Sequence, residues 1–216
     1  MAEIVPAILE ENKENFLHVS QQVTKLPGIT RIQVDFADGI FVPHHTMEVA
    51  DISALNPAFL WEAHLMVKKP VDFLDYHISG FGVIVVHYEA FENINDLKLA
   101  LGEIRSLNLK CGVALNPETD VLVCKELEKF SDQFTLLSVH PGFQKGEFLP
   151  EVVDRIKRLR RMLPNAILEV DGGLNVEKIS GVVGAGADLL VVGSAIVKAP
   201  NMQEAYEKLQ AEIKSS

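Results

Sequence analysis

The segment ILEVDGGLNVEKISGVVGAGADLLVVGS, residues 167–194, decides the fold. It begins with a short apolar run that ends in Asp171-Gly172-Gly173 and continues with a run of helical period that opens at Asn175. A second apolar run then ends in Gly193-Ser194. A strand, a helix and a strand in this order predict two parallel strands joined by a right-handed crossover. Glycine-rich turns after both strands favour a closed (β/α)8 barrel over an open doubly wound sheet.

The same alternation extends through the whole chain. Eight short apolar runs rich in β-branched residues are predicted as strands: Ile4–Leu9, Arg31–Phe36, Leu60–Met66, Val83–His87, Lys110–Leu115, Phe134–Val139, Ile167–Asp171 and Leu189–Val192. The clearest amphipathic helices between them are Asn93–Leu107, Pro150–Met162 and Met202–Ile213. No linker rich in Pro, Gly or Ser divides the sequence. Residues 1–216 are therefore predicted to form a single α/β domain, a (β/α)8 TIM barrel.

Composition narrows the classes of function. The formal net charge of −10 argues against nucleic acid as a partner, because phosphate backbones require a basic surface. It permits a small anionic substrate, which helix N-termini and backbone N–H groups can bind locally. The two cysteines make no disulfide framework, the N-terminus lacks a secretory signal, and no apolar run reaches transmembrane length. We expect a cytoplasmic protein without a membrane partner.

Two carboxylates stand at predicted strand ends, where barrels carry their catalytic residues. Gln33 and Asp35 are two residues apart on one strand and share a face, and Asp171 ends a strand across the ring. Carboxylates on both sides of a small substrate could remove a proton from one face of a carbon and return one to the other. Asp35 and Asp171 are therefore candidate catalytic residues. For either aspartate alone a loop cap is an equal alternative, and Asp38 before Gly39 favours turn chemistry.

His64 ends a third strand and, with Asp35 and Asp171, resembles a metal-ligand set. Imidazole and carboxylate ligands suit zinc, iron or manganese. Such a metal could stabilise an enediolate as a Lewis acid. His87 is predicted to be a buried histidine that supports the site and does not itself bind the metal.

Glycines late in the chain predict a phosphate site. Barrels commonly hold phosphate after strands 7 and 8, on backbone N–H groups and a short helix N-terminus. Gly172-Gly173 and Gly193-Ser194 fall at those two places, and the loop from Gly142 to Gly146 adds a third flexible segment. Each glycine pair alone is a common turn feature, but their joint placement indicates phosphate binding. Met66 and Phe143 are predicted to line the substrate site.

These residues belong to a set of segments that match a known family in order. The segments are Pro6-Ala7-Ile8-Leu9, VDFADGIFVP (34–43), AHLM (63–66), VHYEA (86–90), GVALNP (112–117), SVHPGF (138–143), EVDGG (169–173) and GSAI (193–196). On these segments the chain resembles the ribulose-phosphate 3-epimerase family over nearly its whole length.

The resemblance implies a specific reaction. The family interconverts D-ribulose 5-phosphate and D-xylulose 5-phosphate through a cis-enediolate, with two aspartates as acid and base on opposite faces of C3. The matching positions are Asp35 and Asp171. The family binds a divalent metal through these aspartates and two histidines, of which His64 matches one. Family members form dimers and hexamers, so the resemblance also implies a homo-oligomer.

The second metal histidine of the family is replaced here by Gln33. A glutamine carbonyl oxygen can bind a metal, but it is a weaker and less zinc-like ligand than imidazole. One hypothesis is a weakly bound or different metal with proton transfer retained. His44 or His45 could then supply a substitute ligand, and Lys145 could replace glycine N–H contacts to phosphate.

Other departures surround the substrate. Ala7 stands where the family has Ser, and Ala37 and Leu137 replace two methionines. His44 replaces an Asn, and residues 141–146, PGFQKG, differ from the usual PGFGGQ. These changes leave two alternatives open. One is a related phosphosugar enzyme, either a hexulose 6-phosphate 3-epimerase or an enolate-forming lyase. The other is an inactive phosphosugar-binding protein.

Overall fold

Eight parallel strands close into one barrel in the computed structural model, which describes residues 2–49, 52, 55–74, 80–141 and 146–215. Each strand pairs with the next along the chain, and β1 pairs with β8 to complete the ring. The strands are β1 Glu3–Ile8, β2 Arg31–Ala37, β3 Leu60–Met66, β4 Phe81–His87, β5 Lys110–Leu115, β6 Gln133–Leu137, β7 Ile167–Asp171 and β8 Leu189–Val192. The predicted single-domain (β/α)8 barrel is confirmed.

Helices connect the strands around the outside. They are α1 Lys13–Val23, α2 Pro70–Leu74, α3 Ile94–Ser106, α4 Cys124–Leu127, α5 Val152–Met162, α6 Val176–Ala185, α7 Ser194–Val197 and α8 Met202–Ser215. The side chains of Asn12, Asn93 and Asn175 accept backbone N–H groups at the starts of α1, α3 and α6, which satisfies donors that have no partner within the helix. None of the helices described is long and apolar enough to cross a membrane.

The predicted strand bounds agree with the structure to within two residues at each end. The sixth strand ends at Leu137 and not at Val139 as predicted. Ser138 follows the last residue of β6, and its hydroxyl donates to the backbone carbonyls of Asp171 and Gly172. These bonds tie the ends of β6 and β7 together.

The strands have two differently used faces, since successive side chains point to opposite sides of a sheet. The outward side chains of β2, Ile32, Val34 and Phe36, join the large core that the strands form with the helices. Two small apolar clusters occupy part of the interior: Val5, Ala7, Leu189 and Val191 on one side, and Val83, Val85, Ala114 and Leu137 on the other. β2, β3 and β7 also direct polar side chains inward, and the candidate site is built from some of these.

Candidate active site

Four polar side chains meet inside the barrel near the carboxyl ends of its strands. We call Gln33, Asp35, His64 and Asp171 the upper layer. Gln33 Nε2 donates to Asp35 Oδ1 over 2.7 Å and to Asp171 Oδ2 over 2.9 Å. His64 Nδ1 lies 3.1 Å from the same oxygen of Asp35 and 3.2 Å from the same oxygen of Asp171. In the described part of the chain these bonds use one oxygen of each carboxylate and leave the other oxygen outside them.

The strand register explains why these residues meet. Asp35 of β2 pairs directly with His64 of β3, so both side chains point inward at one level. β7 lies across the ring and brings Asp171 to the same level. Gln33 and His64 are 0% and 1% exposed, whereas the side chains of Asp35 and Asp171 keep 12% and 14% of their surface accessible. The carboxylates therefore face the mouth of the barrel and the other two groups lie behind them.

Burial and charge shift the titration of this layer. Burial of the ring alone would lower the pKa of His64, but hydrogen bonds to Asp171 and Asp35 and their negative charges raise this pKa to about 10. Burial raises the pKa of Asp35, and the charge of Asp171 adds to the effect against the opposing hydrogen bonds from His64 and Gln33. Without a metal, the layer is thus two carboxyl groups beside a protonated imidazole.

His64 is held from behind by a second histidine. His64 Nε2 lies 2.9 Å from His87 Nε2 with the rings stacked, and His87 Nδ1 lies 3.3 Å from Glu89 Oε2. Glu89 in turn accepts from the backbone N–H of Asn116 and from the hydroxyl of Thr119. Burial lowers the pKa of His87, which favours the neutral ring. One ring nitrogen of His87 then contacts His64 and the other contacts Glu89. His87 is a buried histidine next to the site, as predicted. The contact of Glu89 with His87 was not predicted, although Glu89 lies in the VHYEA segment that matches the family.

Three of the four predicted metal ligands form a group that could hold an ion. The ligand atoms of Asp35, His64 and Asp171 lie within 4.8 Å of one another. Gln33 differs from the prediction of a carbonyl ligand, because its amide nitrogen and not its oxygen faces this group. His44 and His45 are not members of the group, although both lie among the described residues.

The predicted phosphate-binding glycines lie at the ends of neighbouring strands β7 and β8. Gly172 and Gly173 have φ of +111° and +63°, which is the left-handed region that favours glycine. A Cβ added to Gly172 would lie 2.5 Å from Cγ2 of Val139, so no larger residue fits there without movement. Gly193 and Ser194 start α7, and β1 brings Ala7 beside Gly193. Gly146 is half-buried, while Gly142, Phe143 and Lys145 lie outside the described residues.

Comparison with known proteins identifies the family to which this barrel belongs. A sequence profile for the ribulose-phosphate 3 epimerase family matches residues 3–197. The chain belongs to this family. A ribulose-phosphate 3-epimerase of Synechocystis is 34% identical over 211 residues, covering 94% of this chain and 90% of that protein. One of Chlamydia muridarum is 33% identical over 196 residues, covering 86% and 85%. The protein is therefore an isomerase of the epimerase type.

Solved structures agree on the architecture of this epimerase. A 3-hexulose-6-phosphate synthase from Salmonella typhimurium superposes with a TM-score of 0.75 and covers 99% of both chains. The two sequences are 15% identical, so the likeness shows the barrel fold alone.

A small apolar cluster borders the upper layer of the epimerase. Met66 is 8% exposed and packs with Ala37 and Val42 against Leu9 and Phe41. The ring of Phe41 lies 4.9 Å from that of His87. Met66 thus lies in a cluster whose Phe41 contacts His87, and its part in lining the substrate site stays a prediction.

Asp38 holds the loop after β2, which contains Phe41. The carboxylate of Asp38 accepts the amides of Ile40, Phe41 and Lys68, which confirms its predicted turn role.

A second polar layer lies below the first and was not predicted. We call Arg31, Glu62, Gln133 and Glu169 the lower layer. Arg31 forms an ion pair with Glu62 and a hydrogen bond with Gln133, while Glu169 accepts from Thr135 over 2.7 Å. Burial, and then the charge of Glu62, raise the pKa of Glu169 well above its ordinary value. The sequence did carry a signal for this layer. Its charged residues each stand two positions before a residue of the upper layer and so share its face of the strand: Arg31 before Gln33, Glu62 before His64, and Glu169 before Asp171.

Proposed function

We propose that the protein interconverts D-ribulose 5-phosphate and D-xylulose 5-phosphate by moving a proton at C3. The observation that carries the proposal is the pair Asp35 and Asp171 in a member of the ribulose-phosphate 3-epimerase family. The two carboxyl groups come from opposite sides of the barrel, share the donors Gln33 and His64, and keep one oxygen each toward the mouth. This arrangement suits proton exchange on both faces of one carbon.

The proposed reaction removes a proton from one face of C3 and returns a proton to the other face. One aspartate, as the carboxylate, takes the proton from C3, and the electron pair of the C–H bond forms a C2–C3 double bond. The negative charge moves to the C2 oxygen and gives an enediolate. The other aspartate, as the acid, then delivers its proton to the opposite face of C3 while the C2 carbonyl reforms. The two aspartates have exchanged protonation states at the end of one turnover.

The phosphate of the substrate would bind at the ends of β7 and β8. Backbone N–H groups near Gly172, Gly173, Gly193 and Ser194 are the proposed donors, because glycine backbones allow close approach of an anion. Met66 would line the sugar side of the site. A homo-oligomer and a cytoplasmic location stay predictions.

A divalent metal ion, for which zinc, iron and manganese are the candidates, would be held by Asp35, His64 and Asp171. When bound, it would stabilise the negative charge of an enediolate as a Lewis acid. Gln33 does not fit such a centre in its present orientation, since a donor nitrogen points to the place of the ion and its carbonyl oxygen is buried without a partner among the described residues. The proton transfers above are therefore assigned to the aspartates alone.

The test is proton exchange in D₂O. We would incubate the protein with D-ribulose 5-phosphate and follow deuterium at C3, together with D-xylulose 5-phosphate, by NMR. We expect deuterium at C3 of both D-ribulose 5-phosphate and D-xylulose 5-phosphate, and we expect Asp171→Asn to abolish this exchange. Absence of exchange with and without added zinc or manganese would overturn the proposal for this substrate, and hexulose 6-phosphates would be tested next.

A further inference from the structure

The Gln33 amide nitrogen occupies the centre of the candidate metal site. Nε2 lies 2.7 Å from Asp35 Oδ1, 2.9 Å from Asp171 Oδ2 and 3.3 Å from His64 Nδ1. A zinc ion bound to the same three atoms would lie about 2.0–2.2 Å from each of them. An ion and the amide nitrogen therefore compete for one position.

The orientation of this amide has a physical reason. A carboxamide carries two N–H donors at one end, and ionised carboxylates only accept hydrogen bonds. The two N–H groups of Gln33 thus match the two oxygens of Asp35 and Asp171. The reverse orientation would place the amide oxygen against carboxylate oxygens, which repel it unless a cation lies between them. The observed orientation forms even though Gln33 Oε1 remains buried without a partner in the described part of the chain, which is costly.

The lower layer contains the same arrangement. Gln133 Nε2 lies 3.2 Å from Glu62 Oε2 and 3.3 Å from Glu169 Oε1, so a second glutamine amide joins a second pair of carboxyl groups. Here the amide oxygen also has a partner, because it accepts from Arg31. The interior of this barrel therefore holds paired carboxyl groups together with nitrogen donors from its own chain.

We propose that Gln33 is a positioning residue that bridges Asp35 and Asp171 in the place of a metal ion, so that proton transfer at C3 proceeds without one. This inference rests on the function proposed above. The amide holds one oxygen of each carboxylate and prevents the two groups from moving apart or turning away. The other oxygens then remain aligned with the substrate. A metal must displace the amide and break both hydrogen bonds, so binding of the metal is weakened.

The first experiment measures metal affinity without activity. Full-length protein treated with chelator, and then freed of it, is titrated with Zn²⁺ by calorimetry. Gln33→His replaces the donor nitrogen by a ligand, and it is expected to bind Zn²⁺ at least about tenfold more tightly than the wild type. Gln133→Leu is the matched control, because it removes a glutamine from the same interior without touching the ligand atoms, and it is expected to leave Zn²⁺ affinity unchanged. Wild-type protein that binds Zn²⁺ as tightly as Gln33→His overturns the inference.

The second experiment measures turnover. Chelated wild type is expected to keep its full rate, with no gain on adding Zn²⁺. Gln33→Glu has nearly the same shape but no N–H donors, and it is expected to lose kcat about 10–100-fold with KM little changed and to recover when Zn²⁺ is added. A purely structural role for Gln33 would not produce recovery by metal. Circular dichroism checks that each variant folds. If Gln33→Glu does not fold, the Zn²⁺ affinity of Gln33→His decides whether the inference holds.

The outcomes separate this inference from the proposed function. Wild type that is active only with added metal overturns the bridging role and leaves the epimerase proposal in place. Wild type that is inactive with and without metal overturns both. Retained activity under chelator, together with weak Zn²⁺ binding that Gln33→His strengthens, supports both.

Discussion

The upper and lower layers of the barrel interior are built from the same parts but differ in access. Each contains two carboxyl groups joined by the amide nitrogen of one glutamine, at 2.7 and 2.9 Å for Gln33 and at 3.2 and 3.3 Å for Gln133. The lower layer is completed by the guanidinium of Arg31 and closed to solvent. The upper layer is completed by His64, and its two carboxylates keep part of their surface open at the barrel mouth.

This difference shows how one chemical arrangement serves two purposes. Buried charges require partners, and in the lower layer Arg31 supplies the positive charge beside Glu62. We expect the residues of this layer to matter for stability and to meet no substrate, because they are closed to solvent. In both layers the described hydrogen-bond donors reach one oxygen of each carboxyl group, but only the upper layer is open at the barrel mouth, so only there can the other oxygens meet a substrate. Substitutions in the upper layer should affect turnover, and substitutions in the lower layer should affect stability.

The largest effect is expected from Asp35→Asn. The amide cannot take up or deliver the proton, and general acid–base catalysis contributes about 10²–10⁴-fold to rate. We expect kcat to fall by about that factor, as measured by NMR of C3 exchange. The melting temperature should change little, because Asn keeps the shape of the side chain. A variant with the wild-type rate would show that Asp35 is not the acid or base.

Arg31→Met should give the largest loss of stability. It leaves Glu62 without its cationic partner inside the barrel, and removal of one partner from a buried ion pair costs about 3–5 kcal/mol. Urea unfolding measures this free energy. Lys208→Met is the matched control, because the Lys208–Glu204 pair is exposed and its loss should have little effect. Equal losses in the two variants would contradict the importance of the lower layer.

Thr135→Val should cost less and should spare turnover. Valine keeps the shape of threonine but removes the hydroxyl that donates to Glu169 over 2.7 Å. The loss of this buried hydrogen bond is expected to reduce the free energy of unfolding by about 1 kcal/mol. Both urea unfolding and C3 exchange should be measured. A large fall in kcat, with stability unchanged, would mean that the two layers are not separate in function.

Glu169→Gln should give the smallest change, and one that depends on pH. Burial and the charge of Glu62 raise the pKa of Glu169 in the folded protein well above the ordinary value of 4.5, so ionisation of this group is less favourable in the folded state than in the unfolded state. Wild-type stability from this group is fully present below pH 4.5 and is lost as pH rises toward the folded pKa. Glutamine is neutral throughout, so the melting temperature of Glu169→Gln should rise relative to that of the wild type as the pH increases above 4.5. A constant difference across this range would show that Glu169 is ionised in the folded state.

Much of the fold could be predicted because it depends on local patterns. Short β-branched runs, asparagines before helices, and glycines after β7 and β8 each act within a few residues, and the strands fell where these patterns indicated. The strand-end positions of Asp35, His64 and Asp171 followed from the same patterns. The lower layer was missed because Arg31, Glu62 and Glu169 lie within runs that look like ordinary strands, and their partners are distant in sequence.

The sequence by itself thus determined the barrel, the residues at its mouth, and the replacement of a family histidine by Gln33. Only the tertiary structure decided which end of that glutamine faces the site. Gln33 and Asp171 are 138 residues apart, and ring closure brings them within hydrogen-bond distance. The orientation of a carboxamide depends on the charges around it, which come from β2, β3 and β7 together. No local pattern carries that information, because the electrostatic field exists only once the barrel has closed.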